Sequence, residues 1–339
     1  MARKLIIQIP CLNEEDSIGI TLDALPRKIA GIDEIETLII NDGSTDATSE
    51  VARNHGATHV IELSKNQGLA KAFMTGLVEC LARGADIIVN TDADNQYRGS
   101  DVEKLIRPIL EGKAEFVIGS RPIATNPNFS WCKKVLQRLG SKIVRMASQS
   151  SIPDAPSGFR AFTREAAMQL NVFSDFSYTL ETIIQAGQKD MAIAHVPVEV
   201  NEVTRPSRLF NRQWGYIFKS MITIIRIFMT YQPFRFFAIP GVISILAGTL
   251  LLSRFLYFYF TVVPSGHTES LVFASMCLGI GFFLVMVGLI TDLISVNRKL
   301  LEKISWQQFK LEELIHQEGQ AEASRKKRLT LVPKKRHEH

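Results

Sequence analysis

Along the first third of the chain, short apolar runs alternate with segments in which apolar residues recur at helical spacing. The runs predict β-strands at residues 5–9, 36–40, 59–63, 86–90 and 116–119. The periodic segments predict helices at 14–25, 46–55, 68–83 and 100–110. Single helices between short strands, nearly all of them apolar, indicate an α/β fold with a mainly parallel sheet and helices on both faces. Ligands bind such a sheet at the carboxyl ends of its strands.

The pattern continues with a helix predicted at 131–148, a loop at 151–159, a helix near 176–187 and a strand at 192–200. A further helix, predicted at 211–231, combines a wide apolar face with the cations Arg212, Lys219 and Arg226. This combination is typical of an amphipathic helix lying in a membrane interface. A helix buried against the preceding domain is the alternative interpretation.

Two long apolar segments follow, at residues 236–263 and 271–294. Each exceeds the roughly 20 residues that cross a bilayer. The connecting residues contain no Lys or Arg, whereas cations flank the outer ends of the pair: Lys219, Arg226, Arg235, Arg298, Lys299 and Lys303. This asymmetry places both outer ends in the cytoplasm. Arg254 lies inside the first segment, either as a functional intramembrane charge or with its side chain extended to the far interface.

These patterns divide the chain into four parts. A catalytic α/β domain is expected at 1–210, an interface helix at 211–233, a two-helix transmembrane hairpin at 234–297, and a cytosolic amphipathic helix with a basic tail at 298–339. We expect disorder beyond Gly319. The last fifteen residues hold seven Lys or Arg and one acid, so the chain's net charge of +5 leaves −1 on the rest. The basic charge therefore belongs to the tail, where it favours contact with anionic lipid and gives no reason to expect nucleic-acid binding.

The four cysteines, Cys11, Cys80, Cys132 and Cys277, have no zinc-site spacing and are expected to be reduced thiols. The first apolar run ends before Asn13 and is too short for a signal peptide. We therefore expect the first domain to stay in the cytosol.

The segment Thr91-Asp92-Ala93-Asp94-Asn95-Gln96 directly follows a predicted apolar strand. Two carboxylates separated by one residue at a strand end can hold a hard divalent cation, which can bridge the phosphates of a nucleotide diphosphate. Asp and Asn are also common turn residues, so a simple turn is the alternative interpretation of this segment taken alone.

Two other polar segments follow the first two predicted strands: Pro10-Cys11-Leu12-Asn13-Glu14-Glu15 and Asn41-Asp42-Gly43-Ser44-Thr45-Asp46. Three more motifs lie elsewhere in the chain: Asn66-Gln67-Gly68-Leu69-Ala70-Lys71-Ala72, Gly119-Ser120-Arg121 and the stretch 154–162. Together with the aspartate pair, and in this order, they resemble the nucleotide-sugar site of inverting family 2 glycosyltransferases with the GT-A fold. The two apolar C-terminal segments are similar to those of the polyprenyl-phosphate branch of that family, which includes dolichyl-phosphate mannose synthase. The resemblance covers residues 5–300.

The resemblance implies a role for each matching residue. Nucleotide-sugar binding is expected from Pro10, Leu12, Glu14, Asp42, Lys71 and Asp92, with Asp42 accepting a hydrogen bond from the base. Asp94 is expected to be the chief ligand of Mg²⁺ or Mn²⁺, with Asp92 and Gln96 as further ligands. Glu14 has an alternative role, since an acid near a helix N-terminus favours the helix dipole.

The acceptor of such an enzyme is itself a phosphate and is already anionic, so fixed arginines matter more than a base. Candidates for binding it are Arg121 and the cluster Arg205, Ser207 and Arg208; contact with lipid headgroups is the alternative for the cluster. Asp154 is either a general base or a charge that orients Arg121 or Arg160.

We therefore expect a multi-pass inner-membrane enzyme with both termini in the cytoplasm. It would transfer one sugar, with inversion, from a UDP-hexose to a polyprenyl phosphate, and it would form a homo-oligomer. A processive polysaccharide synthase of the same fold and a non-catalytic membrane scaffold are the alternatives.

Overall fold

The computed structural model describes residues 3–121, 154–172, 178–201, 222, 225–226, 228–229, 231–261 and 268–330. It divides into two compact units, Met1–Asn297 and Arg298–His339. The predicted helix at 131–148, Cys132, the acceptor candidates Arg205, Ser207 and Arg208, most of the predicted interface helix and residues 331–339 lie outside the described residues.

A seven-stranded sheet forms the centre of the first unit, in the order β3-β2-β1-β4-β6-β5-β7. Its strands are β1 (Lys4–Cys11), β2 (Glu34–Asn41), β3 (His59–Glu62), β4 (Ile87–Asn90), β5 (Phe116–Ser120), β6 (Arg160–Thr163) and β7 (Ile193–Pro197). All pairings are parallel except those of β6, which runs antiparallel to both β4 and β5. The predicted α/β fold with a mainly parallel sheet is confirmed.

The helices are α1 (Ile18–Ala24), α2 (Thr48–Asn54), α3 (Leu69–Ala82), α4 (Asp101–Leu110), α5 (Arg164–Gln169), α6 (Tyr178–Gln188), α7 (Pro233–Thr261) and α8 (Thr268–Thr330). Most follow the hydrophobic pattern closely, because a helix between buried strands must face the sheet with its apolar side. Helix α2 has Ala47 as its N-cap, while the Asp46 carboxylate accepts from the backbone N–H of Thr48.

Strands β1 and β4 explain why apolar runs identify the centre of the sheet. Residues Leu5 to Cys11 are all buried, as is every residue of β4. Two polar side chains interrupt these strands, Gln8 and Asn90, and they lie opposite each other in the β1–β4 register. The Gln8 amide donates to the Asn90 side-chain oxygen at 2.9 Å, which satisfies both groups inside the core.

Strand β6 has no counterpart among the predicted elements. Its sequence, Arg-Ala-Phe-Thr, is short and begins and ends with polar residues, so periodicity gives no signal for it. It is inserted between β4 and β5 and fixes the loop that precedes it, residues 154–159, against the end of β4.

Helices α7 and α8 contain two candidate membrane spans, Pro233–Thr261 and Thr268–Arg298, as the hydrophobic pattern predicts. The two helices approach closely at small residues. A Cβ added to Gly241 would lie 3.0 Å from the Gly281 carbonyl, and one on Gly248 would lie 3.1 Å from that of Ala274. Helix α8 continues to Thr330, so the expectation of disorder beyond Gly319 is wrong as far as that residue.

The cysteines Cys11, Cys80 and Cys277 are free thiols in the part of the chain that the structure describes. Burial raises the pKa of the Cys11 thiol to about 12, with further contributions from the negative charges of Glu14, Asp46 and Asp42. That thiol therefore stays protonated, and three carboxylates lie near it at the carboxyl ends of β1 and β2.

Candidate active site

The loops after β1 and β2 are joined by hydrogen bonds between side chains and backbone. The Asn13 side-chain oxygen accepts from the Thr45 N–H at 2.8 Å, and the Asn13 N–H donates to the Ser44 hydroxyl at 2.9 Å. Asn13 adopts a left-handed conformation, with a φ of 54°, to make both contacts. The segments that carry Pro10, Leu12, Glu14 and Asp42 therefore form one continuous wall at this edge of the sheet.

Asp42 connects that wall to the segment that begins α3. Its buried carboxylate accepts from the Gln67 N–H at 2.7 Å and from the Gly68 N–H at 2.9 Å. Each carboxylate oxygen keeps a second lone pair, so these contacts are compatible with one more hydrogen bond from a ligand. Lys71 is exposed in the first turn of α3.

The aspartate pair lies in the loop after β4. Asp94 is exposed and its carboxylate accepts from the Gln96 N–H at 3.1 Å, while Asn95 has a left-handed φ of 55°. The Asn201 amide donates to the Asn95 carbonyl at 2.8 Å and thereby attaches the loop to the chain after β7. The turn that was the alternative interpretation is present, and it presents one carboxylate to solvent.

Asp92 is partly buried, and its electrostatics fit a cation. Desolvation raises the pKa of its carboxyl to about 6, and repulsion from Asp94 adds to the shift. A divalent ion beside both groups would remove that repulsion and lower the pKa again. No group of three or more His, Cys, Asp or Glu able to hold a metal occurs among the described residues. An ion held by Asp92, Asp94 and Gln96 would therefore take its remaining ligands from phosphate oxygens or water.

Arg121 lies beside this loop and is held by Asp154. The guanidinium donates to both carboxylate oxygens, at 2.8 Å and 3.1 Å, and the Arg121 backbone N–H donates to one of them at 3.1 Å. Burial opposes the charge of Arg121, but its bonds to Asp154 and the nearby negative charges raise its pKa above its usual range. A third guanidinium nitrogen lies 3.5 Å from the side-chain oxygen of Gln96.

Arg160 occupies a different environment, in which carbonyl oxygens surround a fully buried guanidinium. It donates to the Ser157 carbonyl at 2.7 Å, to the Ala155 carbonyl at 2.8 Å and to the Thr182 hydroxyl. Burial lowers the pKa of Arg160 to about 10, so the group is still charged near neutral pH. Of the two arginines that Asp154 was expected to orient, the structure therefore pairs it with Arg121, and Arg160 holds the loop of residues 155–157.

Gly158 brings that loop against Asp92. Its N–H donates to the Tyr97 hydroxyl at 3.1 Å, and its carbonyl accepts from the Asn90 amide at 2.8 Å. A Cβ at this position would lie 2.7 Å and 2.8 Å from the two Asp92 oxygens and 3.0 Å from the Tyr178 hydroxyl. A larger residue here would therefore displace the Asp92 carboxylate or the loop.

The structure thus brings together Asp92, Gln96, Arg121 and Asp154, and it places Asp94 on the same loop. Sequence reasoning missed three residues that support them: Asn90, Tyr97 and Tyr178. A signal existed for Asn90, because a polar side chain ends a run of buried apolar residues directly before the aspartate pair.

The mainly parallel sheet, with paired carboxylates after β4 and a fixed arginine beside them, has the arrangement of a GT-A-like α/β fold. The glycosyl transferase family 2 profile matches residues 6–170, and the chain belongs to this family.

Relatives of known sequence agree with this assignment, and a solved structure has a similar fold. The chain is 31% identical to UDP-N-acetylglucosamine--dolichyl-phosphate N-acetylglucosaminyltransferase of Methanococcus voltae, over 59% of this chain and 86% of the relative. It is 27% identical to Glycosyltransferase AglJ of Haloferax volcanii, over 88% of this chain and 96% of the relative. The fold is similar to glucosyl-3-phosphoglycerate synthase from Mycobacterium tuberculosis, solved with Mn²⁺, UDP and glucosyl-3-phosphoglycerate, with a TM-score of 0.52 at 20% identity over 68% of this chain and 80% of that one.

Proposed function

We propose that this glycosyltransferase moves a single sugar, with inversion, from a nucleotide diphosphate sugar to a polyprenyl phosphate at the cytoplasmic face of a membrane. A UDP-hexose is the favoured donor. The observation that carries the proposal is the Asp92–Asp94 loop beside the Arg121–Asp154 pair, in a chain with two candidate membrane spans. The Methanococcus relative, named for transfer to dolichyl phosphate, supports the choice of acceptor.

The donor is proposed to bind along the wall formed by the loops after β1 and β2. Its base and ribose would contact Pro10, Leu12, Glu14 and Asp42, and its diphosphate would lie toward Asp92. Mg²⁺ or Mn²⁺, held by Asp92, Asp94 and Gln96, would stabilise the negative charge that develops on the leaving diphosphate. The Mycobacterium enzyme with the same fold was solved with Mn²⁺ and UDP, which supports this choice of ion.

Arg121 is proposed to bind phosphate oxygens while Asp154 keeps it charged and correctly oriented. Asp154 is fully buried and accepts three N–H groups from Arg121, which suits an orienting residue better than a base. No strong base is required, since the acceptor phosphate is already ionised near neutral pH. Arg205, Ser207 and Arg208 remain proposed contacts for that phosphate.

The membrane placement is also a proposal. Helices α7 and α8 would cross the inner membrane as a hairpin, with the catalytic domain and both termini in the cytoplasm. Helices α7 and α8 approach each other closely at Gly241 and Gly281, and small-residue packing of the same kind would support a homo-oligomer.

The test is release of nucleoside diphosphate by the purified full-length protein in detergent. A panel of UDP- and GDP-sugars is combined with undecaprenyl phosphate and Mn²⁺ or Mg²⁺, and each component is omitted in turn. Release that requires both lipid phosphate and metal supports the proposal and identifies the donor. Release without lipid would indicate hydrolysis or another acceptor, and no release by folded protein would contradict the proposal.

Asp94→Asn tests the metal assignment in the same assay. We expect loss of nearly all transfer, because the exposed carboxylate is the principal proposed ligand. Glu103→Gln is the matched control, since it neutralises an exposed acid in the first turn of α4. Transfer by Asp94→Asn at the level of the control would refute the metal assignment.

A further inference from the structure

One side of helix α6 is polar and yet buried. Tyr178, Glu181, Thr182 and Gln185 recur at helical spacing, and they are 1%, 6%, 0% and 1% exposed. Residues at this spacing share one face of a helix. Burying polar groups costs free energy unless each one finds a partner, so the contacts of this face indicate what it does.

Two of these residues reach the active site. The Tyr178 hydroxyl accepts from the Asn90 amide at 3.0 Å, and Asn90 lies two residues before Asp92. Thr182 contacts the Arg160 guanidinium, which in turn holds the carbonyls of Ala155 and Ser157. Helix α6 therefore fixes both the end of β4 and the loop against Asp92.

Glu181, between them, reaches the segment that leads to the membrane. Its carboxylate accepts from the Tyr231 hydroxyl at 2.9 Å, and Tyr231 is 7% exposed. Tyr231 lies two residues before Pro233, where α7 and the first candidate span begin. Burying a carboxylate costs free energy, and apolar side chains of similar volume often stabilise a protein as well or better. Packing alone therefore does not explain a glutamate at this position.

We propose that Glu181 and Tyr231 are positioning residues, which fix the catalytic loop at a set distance from the point where α7 begins. This inference rests on the proposed function, because its consequence concerns a lipid acceptor. A polyprenyl chain anchored in the bilayer holds its phosphate at a restricted depth. The active site can bind that phosphate only if the catalytic loop lies at the same depth. Helix α6 can fix this depth, because its contacts to the active site and to Tyr231 lie within about one helical turn of each other.

The test compares two acceptors in detergent–lipid micelles: undecaprenyl phosphate and a short-chain, water-soluble prenyl phosphate. Tyr231→Phe removes only the hydroxyl, and Glu181→Leu removes the acceptor. We expect each to raise KM for undecaprenyl phosphate about tenfold, the order expected for one hydrogen bond to a charged group. KM for the short acceptor and KM for the donor should stay unchanged. Glu181→Gln should approach wild type, since its amide oxygen still accepts.

Tyr257→Phe is the matched control, because Tyr257 is an exposed tyrosine within α7, away from Glu181, and it should match wild type with both acceptors. The double variant Tyr231→Phe/Glu181→Leu should be no worse than Glu181→Leu alone, because both changes remove the same hydrogen bond. Equal losses with both acceptors, or a lowered melting temperature without discrimination between them, would show a packing contact and overturn the inference. Variants that match wild type with both acceptors would overturn it too. A wild-type protein that transfers to neither acceptor would instead overturn the proposed function.

Discussion

Replacing Gly158 by alanine tests whether the geometry around Asp92 controls catalysis. The added methyl carbon would lie 2.7 Å and 2.8 Å from the two carboxylate oxygens, whereas ordinary contacts begin at 3.4 Å. Either Asp92 or the loop must therefore move by about 0.6–0.7 Å. The loop is poorly able to move, since Tyr97 and Asn90 hold the N–H and the carbonyl of Gly158 and both are buried.

The displacement therefore falls mainly on Asp92. A misplacement of about 1 Å in a reacting arrangement can cost roughly a hundredfold in rate, so we expect kcat to fall between about tenfold and a hundredfold. Overpacking of this kind also destabilises a protein by about 1–3 kcal/mol. Because Asp92 is a proposed metal ligand, the Mn²⁺ concentration that gives half-maximal activity should rise as well.

The assay measures kcat, the Mn²⁺ activation curve and the melting temperature of the same preparation. Gly248→Ala is the matched control, because its Cβ would lie 2.8 Å from the Leu278 side chain and 3.1 Å from the Ala274 carbonyl oxygen, in the contact between α7 and α8, with no contact to Asp92 among its nearest atoms. We expect the control to lose stability to a similar degree while its Mn²⁺ activation curve stays at the wild-type position.

Two results would refute the reasoning. If Gly158→Ala keeps the wild-type kcat and Mn²⁺ activation, then the carboxylate tolerates the displacement and its position does not limit catalysis. If Gly248→Ala shifts the Mn²⁺ curve equally, then the shift reports general destabilisation.

Three further predictions follow from single contacts. Arg121→Lys should lower kcat at least tenfold with little change in Mn²⁺ activation, since an ammonium cannot make the two-point contact of a guanidinium; a wild-type kcat would contradict this. Asp42→Ala should raise KM for the donor and cost about 1–3 kcal/mol in thermal unfolding, because the Gln67 N–H loses the Asp42 carboxylate and the Gly68 N–H keeps only its bond to the Asn66 side chain; an unchanged donor KM would contradict this. Burial opposes ionisation of Glu36, but hydrogen bonds to Lys4 and His59 hold its pKa below the usual 4.5. The ionised Glu36 carboxylate therefore stabilises the folded protein fully above pH 4.5, and this stabilisation is lost as the pH falls through the lower pKa of the folded state. The melting temperature of Glu36→Gln should therefore decrease less steeply with falling pH than that of wild type; an equal decrease in both proteins would contradict this.

The sequence predicts the parallel part of this fold well because the signal is local. Strands β1 and β4 are buried on both faces, so their apolar runs stand out from the amphipathic helices between them. The aspartate pair was found for the same reason, since it directly follows a recognisable strand. The strand β6 was missed, because its position depends on pairing with β4 and β5 and its four residues carry no period.

Partners across long sequence separations explain the other omissions. Tyr178 contacts Asn90 from 88 residues away, and Tyr97 contacts Gly158 from 61 residues away. Nothing in the neighbourhood of either tyrosine distinguishes it from an ordinary core aromatic. Gln8 and Asn90 did carry a signal, because a polar residue in a doubly buried strand requires a partner, and the adjacent strand offered one at the same register position.

The charges at the site give a physical reason for needing both a metal and further cations. Burial raises the pKa of Cys11, and the negative charges of Glu14, Asp46 and Asp42 raise it further, so the donor wall is acidic although the proposed donor is an anion. Among the described residues, the charges of Arg160 and Arg121 act on Asp92, but Arg160 is enclosed by carbonyl groups and Arg121 shares its charge with Asp154. One divalent ion would balance the donor diphosphate, and the acceptor phosphate would then still need positive charge. This need for positive charge is the electrostatic argument for proposing that Arg205 and Arg208 bind the acceptor phosphate. It predicts that replacing either arginine by alanine raises KM for the lipid phosphate and leaves KM for the donor unchanged.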